Sequence, residues 1–148
     1  MNKVLLSSKN MCWCTPREFF KKLDDEFHFT LDAAATDKTA LCRLYFTPER
    51  CGLKDSWGGE RVFCNPPYGR QIGKWVEKGY NESRKPGTTV VMLIPSRTDT
   101  NYFHNFILGK AEIRFIRGRL HFTDENGTAH ARAPFPSMVV IFNKHALR

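Results

Sequence analysis

Seven consecutive residues, Thr88-Thr-Val-Val-Met-Leu-Ile94, constrain the fold most. β-Branched and apolar side chains fill the run, so both faces of a strand built from it must be covered. Layers on both sides of a sheet supply that cover. The run therefore predicts an α/β chain with this strand in a largely parallel sheet. It is far shorter than the roughly 20 apolar residues that span a bilayer. Met1 to Asn10 shows no long apolar stretch and no small-residue cleavage site, so no signal peptide is expected.

The neighbouring segments read as follows. Arg61-Val-Phe-Cys64 is a short strand, followed by a helix with Ile72, Trp75, Val76 and Tyr80 on one face and Pro86-Gly87 as breaker. Upstream, Thr15 as N-cap, Pro16 at the first position and Glu18 as capping-box partner open a helix carrying Phe19, Phe20, Leu23 and Phe27. Residues 27–32 alternate as a strand, 33–41 suggest a short helix and 44–46 a brief strand, with a loop over 47–59. Tyr102, Phe103, Phe106 and Ile107 mark another helix. Residues 111–116, 120–122 and 138–142 read as terminal strands, with a turn at Asp124-Glu-Asn-Gly127. No repeat or linker interrupts the chain, so residues 1–148 are expected to form a single domain, α/β with an antiparallel C-terminal edge. A hydrophobic fraction of 41% in 148 residues is enough for one core and excludes a disordered chain.

Charge is placed unevenly. Residues 1–60 hold nine basic and nine acidic side chains, whereas residues 61–148 hold fourteen and six and carry the whole net charge of +8. A polyanionic partner fits that excess, and so does a solvated basic surface. Lys110, Glu112, Arg114, Arg117 and Arg119 give a net +3 over ten residues around Phe115, where DNA-backbone contact and a solvated face are equally open. Arg97 and Asp99 follow the central strand and should lie near the same sheet edge as Asn65, where roles in target or loop positioning are expected, with Arg97 among the DNA contacts. The five cysteines lack paired metal-ligand spacing. Reduced thiols in a cytoplasmic protein and no metal site are expected.

The segment Cys64-Asn-Pro-Pro-Tyr-Gly69 carries the chemistry. It follows a strand, and ligands of open α/β sheets bind at carboxyl strand ends. Asn65 offers a side-chain acceptor. Pro66 and Pro67 lack N–H groups and stiffen the turn, so it presents carbonyl oxygens. Tyr68 offers an aromatic face. An exocyclic amino group on a base matches this set, with its hydrogens on Asn65 and the Pro66 carbonyl and its ring on Tyr68. Acceptors pulling on those hydrogens favour a pyramidal nitrogen whose lone pair can attack an electrophile. A proline-stiffened turn with a buried tyrosine is the structural alternative.

An Asn-Pro-Pro-Tyr motif at a strand end resembles the catalytic motif of S-adenosylmethionine-dependent amino methyltransferases. Trp13-Cys-Thr-Pro16, Phe29-Thr-Leu-Asp-Ala-Ala-Ala35, Cys64 to Gly69, Ile94-Pro-Ser-Arg-Thr-Asp-Thr100, Phe103-His104, Gly118-Arg-Leu-His-Phe122 and Pro134-Phe-Pro-Ser137 occur in that order. The series is similar to the small phage-type DNA N6-adenine methyltransferases, the Dam-like family, over roughly residues 13–143. The resemblance implies a Rossmann-like methyltransferase sheet, S-adenosylmethionine as donor, DNA as partner and action in the cytoplasm of a bacterial host. It implies that Trp13, Thr15 and Pro16 border the methionine end of the cofactor, and that Asp32 accepts from its ammonium beside a close approach at Ala33 and Ala34. Cys51 stands where the family often has Asp, and Asp55 is the nearby substitute.

Only 33 steps separate Asp32 from Asn65. A βαβ unit takes roughly 30 residues, so the sheet is expected to be trimmed, with at most one short crossover there. Two alternatives stay open: methylation of RNA or of a protein glutamine amide, which presents the same NH₂, and a non-catalytic DNA-binding module. The oligomeric state and recognition sequence are not legible.

Overall fold

The structure, a computed structural model, describes residues 13–143. Its elements are helix α1 (Arg17–Phe27), strands β1 (Leu31–Asp32), β2 (Leu44–Tyr45) and β3 (Arg61–Cys64), helix α2 (Ile72–Ser83), strand β4 (Thr89–Pro95), a π-helical segment (Phe103–Ile107), and strands β5 (Glu112–Phe115) and β6 (Ser137–Asn143). The strands form one six-stranded mixed sheet in the order β2-β1-β3-β4-β6-β5. The first four run parallel, whereas β6 is antiparallel to both β4 and β5.

Alternation along the central strands divides the core in two. Val62 and Cys64, Val90, Met92 and Ile94, and Met138, Val140 and Phe142 point to one face, where α2 adds Trp75 and Val76 and the π-helical segment adds Phe103 and Ile107. Phe63, Val91, Leu93, Val139 and Ile141 point to the other, where α1 adds Phe20 and Leu23 and Phe122 closes the layer. The apolar run at 88–94 is thus covered on both faces, as its composition requires.

Several expectations are corrected at element ends. Thr15 does not cap α1: the N-cap position is Pro16, with no side-chain cap, and the Thr15 hydroxyl is turned toward Asn65. The strand expected over 27–32 shrinks to two residues. The helix continues through Phe27 and ends where His28 takes a left-handed conformation (φ 53°), its N–H on the Asp24 carbonyl. Residues 33–41 form no helix. Asp32 accepts the backbone N–H groups of Ala34 and Leu41 at 3.4 and 3.1 Å, and Thr36 and Thr39 bond each other's backbone, so local side-chain bonds displace helical ones.

The interval to Asn65 contains two parallel connections rather than one, β1 to β2 and β2 to β3. Neither carries an α-helix, and a 3₁₀ turn at Pro48–Arg50 is the only helical piece there. The expected strand at 120–122 is instead one arm of a loose hairpin. Phe122 and Leu120 accept from His130 and Ala133, and Asp124 closes the tip by accepting from Asn126 and Thr128. Cys14 is disulfide-bonded, which corrects the expectation of reduced thiols at that position, while Cys42, Cys51 and Cys64 are free.

Candidate active site

β3 delivers Asn65 to the carboxyl edge of the sheet, between the ends of β1 and β4. The segment Trp13 to Thr15 lies across that edge. Cys14 exchanges two backbone hydrogen bonds with Thr123, of 3.0 and 2.9 Å, and so clips this strap to the 120–133 hairpin. The strap then reaches Asn65. Asn65 Nδ2 donates to the Trp13 carbonyl at 2.6 Å and to Thr15 Oγ1 at 3.1 Å. A carbonyl only accepts, so the nitrogen must face the strap and Oδ1 must face away from it. Oδ1 is buried and has no hydrogen-bond partner among the described residues.

The turn that follows is held by Tyr68. Its hydroxyl donates to the Leu93 carbonyl at 3.1 Å. Its ring meets Phe122 and Phe135 edge-on, and the Trp13 ring meets the same two phenylalanines. Burial pushes the Tyr68 phenol well above its usual range, with Cys64 a smaller contributor, so it stays a neutral donor. Cys64 is fully buried, and burial first and Asp32 second push its thiol up, which leaves no thiolate beside Asn65. Pro66 accepts no hydrogen bond among the described residues and keeps its carbonyl oxygen available.

A cavity of about 950 Å³ opens at this edge. Trp13, Thr15, Pro16, Asp32, Ala33, Ala34, Asn65, Pro66, Pro67 and Tyr68 all line it, as does Cys51. The structure therefore brings together all of the expected cofactor and catalytic positions except Asp55, which lies outside the lining and pairs with Arg50 at 2.8 Å. Gly52 presses against Ala33: a Cβ there would sit 2.3 Å from the Ala33 carbonyl oxygen, so the 51–53 turn can form this wall only with glycine. Asp32 is 3% exposed. Burial raises its pKa from the ordinary 3.8 to about 6, against the lowering effect of the Leu41 and Ala34 N–H groups. The ionisable lining comprises Arg17 and Lys38 against Glu18, Asp32, Asp124 and Glu125, with His121 besides, so the cavity is net acidic at neutral pH.

The expected DNA-contacting arginines are scattered. Arg97 is exposed just past β4 and lines a second cavity. Arg117 is exposed, and Arg119 reaches the Ala133 carbonyl at 3.4 Å. Arg114, on edge strand β5, is gripped by both oxygens of Glu26 at 2.7 Å each and by Glu112. Sequence reasoning missed the Trp13 carbonyl as the group that orients Asn65. Main-chain atoms are alike at every residue, so no sequence signal exists for this one. It also missed Phe135, although the Pro134-Phe-Pro segment pointed there. Among the described residues no cluster of three or more His, Cys, Asp or Glu could hold a metal, and no helix is long and apolar enough to cross a membrane.

A model of the family DNA N-6-adenine-methyltransferase (Dam) matches residues 3–147. A DNA N-6-adenine-methyltransferase of Escherichia phage T1 is 32% identical over 123 residues, covering 82% of this chain and 50% of that protein. The chain thus spans about half the length of the curated relative it matches. Since the family model runs almost from end to end and takes in the oriented Asn65 and its strap, the chain belongs to the DNA N-6-adenine-methyltransferase (Dam) family.

Proposed function

We propose that residues 1–148 act as a single methyltransferase domain with a trimmed Rossmann-like sheet, transferring a methyl group from S-adenosylmethionine to N6 of adenine in DNA. One observation carries this reading: an amide whose donors are consumed by the strap, leaving a buried acceptor with no partner at the end of a parallel strand. Leaving a buried acceptor unsatisfied costs about 1–3 kcal/mol. That cost is recovered when an amino group donates to it.

The cavity fits the donor. S-adenosylmethionine carries two cationic centres, a sulfonium and an α-ammonium, and the lining is net acidic with a buried carboxylate at Asp32. Asp32, with Ala33 and Ala34, would hold it on the β1 side, and Trp13, Thr15 and Pro16 on the strap side. Bound there, it supplies an electrophilic methyl carbon with a neutral thioether as leaving group. The protein's part is positional and electrostatic. Asn65 Oδ1 and the Pro66 carbonyl accept the two N6 hydrogens and stabilise positive charge developing on that nitrogen. Tyr68, locked by Leu93, gives the base a fixed face. The flipped base leaves the duplex to reach this pocket.

The test is transfer of tritiated methyl groups to purified DNA, RNA and a protein extract. Label in DNA, recovered as N6-methyladenine, is the expected result. Label in RNA or in glutamine amides instead would replace DNA as substrate, and DNA binding without any transfer would leave a non-catalytic module.

A further inference from the structure

A second cavity, of about 840 Å³, lies on the other side of Tyr68 and Trp13, which line both. It is bounded by the turn after the Asn-Pro-Pro-Tyr motif, the first turns of α2, the loop after β4 and Phe135. Its charge is opposite to that of the first. Arg70, Lys74 and Arg97 face one carboxylate, Glu77. The first turn of α2 holds no acidic residue. Arg70, Lys74 and Arg97 are exposed and have no ion-pair partner among the described residues. This sets them apart from Arg114, Arg50, Lys78 and Lys85, whose charges are met by carboxylates.

Two cavities of opposite sign sharing an aromatic wall sort a nucleotide by its parts. The base is uncharged and can enter the acidic side. Each phosphate carries a negative charge that the acidic side repels and the basic side attracts. A nucleotide whose base lies against Tyr68 must keep its backbone within one nucleotide's reach of that wall. We infer that the second cavity seats the phosphodiester backbone beside the target nucleotide, with Arg70, Lys74 and Arg97 as its phosphate contacts. The inference rests on the reading of the first cavity as the methyl-transfer site and extends it to how the strand is held.

The experiment separates binding from transfer. Affinity for a fluorescent DNA duplex is measured by anisotropy across a salt series, and methyl transfer is measured on the same protein. The Arg70→Gln/Lys74→Gln double variant is compared with Lys22→Gln/Lys54→Gln. The second pair removes the same charge from exposed positions that line neither cavity. Each lost phosphate contact should lower the slope of log affinity against log salt by about 1. The groove variant should therefore lose about two from the slope and bind at least tenfold more weakly at moderate salt, and the control should stay near wild type. Arg97→Gln alone should lower the slope by about 1. Affinity for S-adenosylmethionine, measured by calorimetry, should be unchanged in all of them, which also shows that the variants are folded.

If the groove variants bind DNA like the control while the wild type still methylates, the second cavity is not the backbone seat and the transfer reading stands. If the wild type neither binds DNA nor methylates it, the transfer reading fails and this inference falls with it.

Discussion

The role proposed for Asn65 depends on the direction of its amide. The Trp13 carbonyl and Thr15 hydroxyl take both amide hydrogens, so Oδ1 cannot turn toward the strap without losing two bonds. Replacing Asn65 with Ala should lower kcat by roughly 10²-fold or more, by analogy with loss of one oriented group in an oxyanion hole. Cofactor affinity, read by calorimetry, should change little. Tyr68 has two separable parts. Tyr68→Phe loses the bond to Leu93 and should keep much of the activity. Tyr68→Ala also loses a stacking face worth about 1–3 kcal/mol and should raise KM for DNA. Asp32 sets a pH dependence. Its folded pKa of about 6 lies above the ordinary 3.8, so its contribution to stability is full below about 4 and is lost as pH rises through about 6. The difference corresponds to about 3 kcal/mol. Binding of the cationic cofactor should run the other way. The carboxylate is present above about 6, so affinity should fall as pH drops below it, and Asp32→Asn should flatten that profile. Asn65 and Tyr68 stand out in the sequence because their motif is compact, and Asp32 stands out only through the resemblance. The Asn65 partner is not legible there, because it is a main-chain oxygen 52 residues away.

At the scale of elements, sequence patterns succeeded where burial enforces them. Strand β3, helix α2, strand β4 and strand β6 lie where alternation or helical spacing places them, since each must cover a core face. They failed where a polar side chain has a tertiary alternative to its local use. Thr15 has the composition of an N-cap, and the structure spends its hydroxyl on Asn65 instead. Residues 33–41 read as a short helix, and Asp32 organises a loop there instead. The strap is therefore tied directly to Asn65, the residue proposed to hold the target amine. Thr15→Val keeps the shape and removes the acceptor, a loss of about 1 kcal/mol. It should cut kcat roughly fivefold with KM for DNA nearly constant, and Thr15→Ser should restore the rate. Equal loss in both variants would assign Thr15 to packing.

At the scale of the whole chain, the excess of positive charge lies entirely after residue 60. DNA binding should weaken steeply between low and moderate salt, as phosphate contacts release counterions. Affinity flat across that range would count against nucleic acid as the partner. The sequence shows the excess but not its arrangement. Arg114 is spent on Glu26 and Glu112, whereas Arg97 joins the near neighbours Arg70 and Lys74, much earlier in the chain, on one cavity. That cavity and its acidic neighbour have Trp13 and Tyr68 in common, and this has a thermodynamic consequence. A ligand on either side meets the same two rings, already held by Leu93 and the two phenylalanines, so a shift imposed on them from one side is felt on the other. Coupling that arises this way is reciprocal. If cofactor tightens DNA by some factor, DNA must tighten cofactor by the same factor. Substitutions at Trp13 or Tyr68 should shrink both factors together while distant charge changes leave their equality intact.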